Sequence, residues 1–330
     1  MTFLEKLESS LKNKKNKVVF PEGTEEAILL STTKLIANGT TRVTLLGDAK
    51  KIEETAIKNK ISLNDVEIIE PKHSNQLDKY ITQYLEKRPK TPPAVVRRLL
   101  MKPLFYGGAM VNDDAATAMV AGIATPSSQV ITASLMTVGL AKGIQTPSTA
   151  FLMLISGDKN RHDQPLLFAD CALNVNPTEN QLADIAISSA KSYLQLTDKK
   201  PRVALLSFAT HGSDKYAEIR KIRGAKTIIN KRAPKLDIEG EIQADAALVP
   251  RIANRKMKDK GNVAGNANVL IFPDLNAGNI SYKLMQHLGG ATAIGPFFQG
   301  LAKPISDLSR GASENEIIAT TTLALTQRQQ

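Results

Sequence analysis

The sequence is poor in the residues that build disulfides, metal sites and large aromatic surfaces. Its 330 residues include one cysteine, four histidines and no tryptophan. One cysteine excludes an intramolecular disulfide, and the scattered histidines lack the spacing of metal ligands. No apolar run approaches the ~18 residues of a membrane span, and the N-terminal residues lack the apolar core of a signal peptide. We therefore expect a cytoplasmic protein with no structural metal and no membrane association.

The commonest nucleotide and hydrolase motifs of α/β proteins are also missing. The sequence contains no Gly-x-x-x-x-Gly-Lys-Ser/Thr loop, no Gly-x-Gly-x-x-Gly after its early strands and no Gly-x-Ser-x-Gly elbow. These absences argue against a P-loop nucleotide site, a Rossmann dinucleotide site and a serine hydrolase.

The net charge of +11 has two interpretations. Nucleic-acid binding calls for a basic stripe interleaved with aromatic residues, but aromatic residues make up only 5% of the chain and the basic residues are dispersed. We therefore expect no nucleic-acid partner. The positive residues either form solvated faces or help an enzyme to attract small polyanionic substrates.

Strand-like and helical segments alternate through most of the chain, which is long enough for two domains of about 150 residues. Strands are predicted at 17–20, 42–46, 66–69, 117–122, 150–155, 166–170, 202–207 and 268–272. Helices are predicted at 24–38, 75–86, 92–111, 178–194, 215–229 and 276–288. This rhythm predicts an α/β fold with two sheets flanked by helices and a cleft between two domains.

Four loops rich in small polar residues follow predicted strands or small-residue runs. They are 123–129, 208–213, 273–279 and the tract 303–311, which comes after a run of small residues and Pro-Gly breaks at 289–300. Ligands of open parallel sheets bind beyond the carboxyl ends of the strands, so we expect these loops to converge. The same residue types are also ordinary helix caps. The candidate substrate-binding residues in and beside these loops are Ser127, Ser128, Thr210, Gly212, Ser213, Asn276, Gly278, Lys283 and His287.

The tract Lys303 to Gly311 is the strongest candidate for an anion site. Ser309, Arg310 and Gly311 follow one another just ahead of a helix start at Ser313. A hydroxyl and helix amides donate hydrogen bonds to an oxyanion, and a guanidinium binds its oxygens with a planar fork.

Several long motifs together resemble one known family. They are Phe168-Ala169-Asp170-Cys171-Ala172, Gly240 to Ala247, Ile271 to Asn279 and Asp307-Leu308-Ser309-Arg310-Gly311. In this order they resemble the phosphate acetyltransferase (phosphotransacetylase) family. The resemblance covers residues 166–311 closely, and Val19 to Gly23 extends it towards the N-terminus.

The resemblance implies reversible acetyl transfer between acetyl-coenzyme A and inorganic phosphate, by direct attack in a ternary complex. It implies coenzyme A as a substrate, no permanently bound cofactor and a homodimer. The family fold is similar to that of the isocitrate and isopropylmalate dehydrogenases, without the nicotinamide. Residues 1–147 and 301–330 are then the first domain and 148–300 the second, with the active site in the cleft between them.

The resemblance also implies roles for three residues. Ser309 donates to the developing oxyanion or the thioester carbonyl, Arg310 binds phosphate, and Glu316 stands where the family has the aspartate that takes the thiol proton. Each has a structural alternative. Ser309 would then cap a turn, Arg310 would pair with a surface acid, and Glu316 would close a capping box with Ser313. Glu314 is the second candidate for the base.

The chain departs from the family at several arginines. Ala27, Thr132 and His287 stand where family members carry arginines thought to bind coenzyme A phosphates or shape the cleft, and Lys87 or Arg88 substitutes for a fourth. These losses leave open a non-catalytic coenzyme A-binding regulatory protein. A propionyl or butyryl transferase is a further alternative, because the sequence does not give the size of the acyl pocket.

Two further residues in or near the candidate loops are considered for a catalytic role. His211 has no carboxylate partner that the sequence identifies, which argues against a general base. Cys171, just past a strand, is typical of a small core residue.

Overall fold

The structure is a computed structural model that describes residues 2–12, 14–155, 164–212 and 215–327. The chain divides into two compact units. Unit 1 comprises residues 1–141 and 301–330, and unit 2 comprises residues 142–300. The sequence-based domain division places the corresponding boundaries after residues 147 and 300. Within the described ranges, no helix combines the length and apolar character needed to cross a membrane.

The first part of unit 1 alternates strands and helices. In chain order its elements are α1 (Phe3–Leu11), β1 (Lys17–Phe20), α2 (Glu26–Ala37), β2 (Arg42–Leu46), α3 (Ala49–Lys58), β3 (Val66–Ile69), α4 (Leu77–Lys87), α5 (Pro93–Leu100), α6 (Pro103–Asn112), β4 (Ala118–Ala121) and α7 (Ser127–Thr137).

Unit 2 follows without interruption, and the chain then returns to unit 1. The elements of unit 2 are β5 (Ser148–Leu154), β6 (Leu166–Ala169), α8 (Glu179–Thr197), β7 (Arg202–Leu206), α9 (Ala217–Arg232), β8 (Asp237–Ile242), α10 (Ala244–Leu248), α11 (Pro250–Lys256), β9 (Val269–Ile271), α12 (Leu275–His287) and β10 (Thr292–Gln299). Unit 1 is completed by β11 (Ile305–Asp307) and α13 (Glu314–Thr326).

The strands of unit 1 run in parallel in the order β3-β2-β1-β4-β11. Val18 pairs with Val43 on one side and with Ala118 on the other, and Ile305 of β11 pairs with Met119. All four residues of β4 are buried, as expected for a parallel strand that helices cover on both faces. The carboxyl ends of β1, β4 and β11 therefore lie side by side at one edge.

The strands of unit 2 are mixed in direction. Their order is β10-β5-β6-β9-β7-β8, in which β5 is antiparallel to both β10 and β6 and the remaining pairs are parallel. Their inner face, with parts of α10, α11 and α12, forms one apolar cluster. The α/β fold with parallel and mixed strands flanked by helices, predicted from the sequence, is confirmed.

Two sequence predictions of local structure were wrong. The single helix predicted at 92–111 is two helices, because Pro103 disfavours helical geometry at Lys102 and cannot donate its own backbone hydrogen bond. The run 289–300, interpreted as breaks, contains the eight-residue strand β10. Its pairing with β5 shifts register between Ile294 and Phe297, where Gly295 and Pro296 lie.

Helix α12 packs closely against the segment that follows β6. Gly278 is buried at this contact, and a Cβ atom built on it would overlap the carbonyl oxygen of Asp170 and lie 3.3 Å from Cys171 Sγ. At the next residue, Asn279 Nδ2 donates to the carbonyl oxygen of Cys171 at 3.0 Å. The absence of a side chain at Gly278 thus sets the distance between the helix and this segment.

Replacing Gly278 with alanine is therefore expected to destabilise the protein. Overpacking of a closed contact costs about 1–3 kcal/mol, so the thermal unfolding midpoint should fall by several degrees in a circular dichroism melt. Asn276→Ala, an exposed position in the first turn of the same helix, is the matched control. Equal midpoints for the two variants would contradict this account of α12.

Candidate active site

A carboxylate fixes the loop that follows β4 in unit 1. Glu22, just after β1, accepts hydrogen bonds from the backbone amides of Gly122 (2.8 Å), Ile123 (3.1 Å) and Ala124 (2.9 Å). The amides of Ile123 and Ala124, in one of the four predicted loops, are therefore bound to Glu22. Ser127 and Ser128, at the start of α7, remain exposed beyond them.

A second carboxylate, Asp307, ends β11 at the same edge. It is buried, and its Oδ1 lies against Gly122 with no hydrogen-bond partner among the described residues. Burial raises the pKa of Asp307 to about 7, the Ser127 hydroxyl and the Leu308 amide lower it in part, and the negative charge of Glu22 raises it further.

Glycine at position 122 makes this arrangement possible. Its φ is +118°, a conformation that other residues rarely adopt, and a Cβ atom there would lie 2.7 Å from the backbone nitrogen of Leu308. The loop after β4 and the tract after β11 therefore meet in unit 1, as the sequence predicted for two of its four loops.

Ser309 and Arg310 lie in the exposed turn between β11 and α13. The Ser309 carbonyl oxygen accepts from the Ala312 amide at 3.0 Å, which closes the turn. In the part of the chain that the structure describes, the Arg310 side chain has no ion-pair or hydrogen-bond partner. The guanidinium is therefore available to an external anion, and the predicted alternative of pairing with a surface acid is not observed.

The start of α13 is a complete capping box. The Ser313 hydroxyl accepts from the Glu316 amide at 3.4 Å, and Glu316 Oε2 accepts from both the amide and the hydroxyl of Ser313 at 2.8 Å. Glu316 is therefore a helix cap in this structure, while its Oε1 makes no described contact. Glu314 pairs with Lys34 at 2.9 Å.

Most of the residues at or near the positions of the missing arginines make contacts within unit 1. Arg88 donates to the carbonyl oxygen of Leu135 at 3.1 Å and lies over the Tyr84 ring, and Lys87 donates to Asn112 Oδ1 at 2.6 Å. The exposed Thr132 hydroxyl is bonded back to its own helix at 2.7 Å. Ala27 packs against the apolar core.

In unit 2, the loop after β7 is bound to the end of β8. The Thr210 hydroxyl accepts from the Gln243 amide at 3.0 Å, and the Gly212 amide donates to the carboxylate of Glu241. That buried carboxylate also accepts from Arg223 Nε at 2.6 Å and from Arg223 Nη2 at 3.1 Å. The loop is thus held by protein groups at two predicted substrate positions. Ser213 lies outside the described residues.

His211 has a carboxylate neighbour that the sequence did not identify. Its Nε2 is 3.5 Å from Glu239 Oε1, and the same carboxylate pairs with Lys226. Because Glu239 lies on β8, this partner becomes apparent only when β7 and β8 are paired.

The loops after β6 and β9 also meet in unit 2. Asp170 accepts from the amides of Ala172, Leu173 and Asn174 at 3.0–3.2 Å, and so shapes the loop after β6. Lys221 of α9 joins the two loops, since its Nζ lies 3.0 Å from both Asn176 Oδ1 and the carbonyl oxygen of Pro273. Three loops of unit 2 therefore contact α9, and two of them, 208–213 and 273–279, are among the four predicted loops.

The predicted residues of α12 divide into one packing position and three exposed ones. Gly278 is buried in the contact described above, which gives it a structural reason independent of any ligand. Asn276, Lys283 and His287 are exposed, and Lys283 Nζ lies 5.3 Å from the centre of the Tyr282 ring. The structure does not bring these three to a common polar site.

Cys171 is buried, and burial together with the charge of Asp170 raises the pKa of its thiol well above the usual value. A thiol in this environment stays protonated, so it is a poor nucleophile. Within the described ranges, no cluster of three or more His, Cys, Asp or Glu side chains could hold a metal ion.

Sequence reasoning missed the acids that organise these loops. Glu22, Asp170, Glu241 and Asp307 each stand at or just beyond the carboxyl end of a strand. An acidic residue directly after an apolar run was the available signal. Its target could not be read from the sequence, because Glu22 binds amides about a hundred residues away.

Known proteins resemble this chain over its whole length. A family model described as Phosphate acetyl/butaryl transferase matches residues 2–325. The phosphate acetyltransferase of Clostridium acetobutylicum is 37% identical over 331 residues, which cover 100% of this chain and 99% of that protein.

Solved structures agree. A phosphotransacetylase from Staphylococcus aureus aligns with a TM-score of 0.90 and 35% identity, over 99% of this chain and 98% of that one. One from Streptococcus pyogenes aligns with a TM-score of 0.91 and 34% identity over the same shares.

A more distant structure from Salmonella typhimurium, assigned provisionally to 4-hydroxythreonine-4-phosphate dehydrogenase, aligns with a TM-score of 0.57 at 10% identity. This likeness is one of fold alone, and it agrees with the predicted similarity to dehydrogenases. The full-length family match and the shared identity lead to one conclusion: the chain belongs to the Phosphate acetyl/butaryl transferase family.

Proposed function

We propose that this protein transfers an acetyl group reversibly between coenzyme A and inorganic phosphate, giving acetyl phosphate. The observation that carries the proposal is the exposed turn after β11, where Ser309 lies next to Arg310, whose guanidinium has no partner among the described residues. The chain's phosphate acetyltransferase relatives support the same chemistry. Coenzyme A is then a substrate, and no permanently bound cofactor takes part.

The chemistry asks for two substrates held in line and for stabilisation of a tetrahedral oxyanion. Arg310 can bind phosphate oxygens with two parallel hydrogen bonds, and the Ser309 hydroxyl can donate to the oxyanion. Side chains carry this task because the amides of Gly122, Ile123 and Ala124 are already bound to Glu22. In one direction, phosphate attacks the acetyl carbon of acetyl-coenzyme A and the thiolate leaves. In the other, the thiolate attacks the acetyl carbon of acetyl phosphate and phosphate leaves.

Coenzyme A recognition must differ in detail from that of relatives that carry the missing arginines. The remaining candidates are Ser127 and Ser128 at the exposed start of α7 and Lys283 and His287 on the exposed face of α12. The net charge of +11 supplies a general attraction for the polyanionic coenzyme. The reaction is expected in the cytoplasm, where both substrates are present.

We also propose a homodimer. The support is an apolar stripe on α12, where Ile280, Leu284 and Leu288 recur every four residues and are 56%, 52% and 82% exposed. A helix face of this kind is typical of a surface that another chain covers.

The deciding experiment follows the phosphate-dependent release of free thiol from acetyl-, propionyl- and butyryl-coenzyme A. Fastest release from the acetyl substrate is expected, and a faster butyryl reaction would assign the chain to the other acyl preference of the family. If none of the three is turned over at millimolar concentration but calorimetry shows that coenzyme A binds, the proposal of an enzyme is rejected. The chain would then be a non-catalytic coenzyme A-binding protein.

Ser309→Ala is expected to lower kcat by roughly 10²-fold, the effect of removing one oxyanion donor. Ser309→Thr keeps a hydroxyl and should retain much of the rate, so the pair isolates the donor from other effects of substitution. Steady-state kinetics with acetyl-coenzyme A and phosphate measure both. An unchanged kcat in Ser309→Ala would refute the role.

Arg310→Ala is expected to raise the KM for phosphate and to lower kcat, each by about tenfold or more, because a charge-assisted bidentate contact is lost. Arg310→Lys keeps the charge without the fork and should recover only part of the loss. Arg98→Ala, at an exposed arginine of α5 in the same unit, is the control. Equal kinetics for the alanine variants at positions 98 and 310 would contradict phosphate binding by Arg310.

Glu316→Gln is expected to separate the helix cap from the base. Glutamine can still accept from Ser313, so the unfolding midpoint should stay unchanged, whereas kcat should fall by about 10²-fold if Oε1 takes the thiol proton. Glu316→Ala should lower kcat and also cost about 1 kcal/mol of stability. Full activity in Glu316→Gln would assign the residue to the cap alone.

A further inference from the structure

Asp307 combines features that neither the fold nor the proposed chemistry explains. The residue is 2% exposed, and its Oδ1 has no hydrogen-bond partner in the ranges that the structure describes. The same oxygen lies against Gly122, whose amide is bound to the carboxylate of Glu22 at 2.8 Å. Two carboxylates thus approach Gly122 from the strands on either side of β4, and the Asp307 oxygen that faces it is the one without a donor among the described residues.

Asp307 also links two parts of the proposed site. Its carboxyl interacts with the hydroxyl of Ser127, the first residue of α7, and it precedes Ser309 by two residues. Within unit 1, Asp307 therefore connects the start of α7 to the tract of Ser309 and Arg310.

Among the described residues, the groups that shift the pKa of Asp307 include no basic side chain. The elements of unit 1 packed against β11 include β4 and α7, which contain no ionisable side chain, and α13. The acids of α13 are engaged elsewhere, Glu314 with Lys34 and Glu316 with Ser313. The basic residue before β11, Lys303, pairs with Asp114, and Arg310 lies in the exposed turn.

We propose that Asp307 is a pH-sensitive positioning residue: in its protonated form it keeps the start of α7 against the Ser309 tract, and loss of its proton loosens the loop 122–128. This inference rests on the proposed function for its kinetic consequence, and its structural consequence stands apart from it. No substrate atom contacts Asp307 in this scheme, since the residue acts through Ser127 and the loop.

The direction of the effect follows from solvation. Ionisation strengthens the hydrogen bond from the Ser127 hydroxyl, but it also puts a second negative charge beside Glu22 in a buried place where Oδ1 has no donor among the described residues. Burial is the larger effect, so the neutral carboxyl is the form that this packing tolerates. The pKa of Asp307 is about 7 in the folded protein and 3.8 in its unperturbed state. The stability that the folded protein has with Asp307 protonated is fully present below the lower pKa value. It is lost as the pH rises through the upper value.

Hydrogen exchange tests the structural consequence without reference to activity. Wild type and Asp307→Asn, which imitates the protonated form, are compared at each pH so that intrinsic exchange rates cancel. At about pH 6 the amides of residues 122–130 should exchange equally in both, and at about pH 8 they should exchange faster in the wild type. Asp114→Asn, at an exposed acid paired with Lys303, should follow the wild type at both pH values. Equal exchange of wild type and Asp307→Asn at both pH values would overturn the proposal.

Kinetics test the functional consequence. The ratio of kcat/KM in Asp307→Asn to that in the wild type should rise about tenfold from about pH 6 to about pH 8, since one group titrating near pH 7 changes tenfold in protonated fraction over that range. Taking the ratio cancels the titration of phosphate. A flat ratio with an active enzyme would overturn the proposal. If the wild type has no activity, the proposed function fails, and the exchange experiment still decides the role of Asp307.

A second variant covers the case in which Asp307→Asn does not fold. Ser127→Ala removes a hydrogen bond that favours the ionised carboxylate, so the alkaline limb of the kcat/KM profile should move to higher pH whatever its effect on the absolute rate. A limb that stays in place or moves to lower pH would count against Asp307 as the titrating group.

Discussion

Carboxylates that accept backbone amides hold the strand-end loops of this protein in place. Glu22 binds three consecutive amides after β4, and Asp170 does the same after β6. Glu241 combines a loop amide with a two-point contact from an arginine, and Asp184 fixes the entry to unit 2 through the amides of residues 145 and 146. Each carboxylate satisfies donors that would otherwise be lost to water or left unpaired. The loops are therefore held by groups of the protein itself, and the exposed Arg310 side chain remains accessible to a ligand.

The fold was largely predictable because alternation of apolar and amphipathic segments is a local signal. The predictions failed for segments whose local sequence pattern is weak or indicates a different structure. Strand β10 contains Gly295 and Pro296, which predict a break, yet pairing with β5 supplies the hydrogen bonds that make it a strand. Strand β11 has only three residues and is defined by its partner β4. Such elements exist through tertiary pairing, which no window of sequence contains.

For the candidate site, the sequence-based interpretation agrees with the structure only in that Ser309 and Arg310 are exposed. Ser309 and Arg310 were identified from their own chemistry, and they remain predictions that the structure leaves accessible. The Thr210 hydroxyl and the Gly212 amide looked like ligand donors but are bonded to residues of β8 and the segment after it. Whether a polar group serves a substrate or a neighbouring loop depends on partners 30 to 100 residues away. That information is absent from a single sequence.

Because the chain returns to unit 1 only after unit 2, unit 1 cannot be completed during synthesis until unit 2 has been made. All of unit 2 leaves the ribosome before β11, so β4 waits with one edge unpaired until the last 30 residues of the chain emerge. An open edge is a template for aggregation, and domains that fold late depend on protection during synthesis. The same residues that close this edge carry Ser309 and Arg310. A nascent or truncated chain that lacks residues 301–330 therefore exposes the edge of β4 and also lacks the turn that contains Ser309 and Arg310.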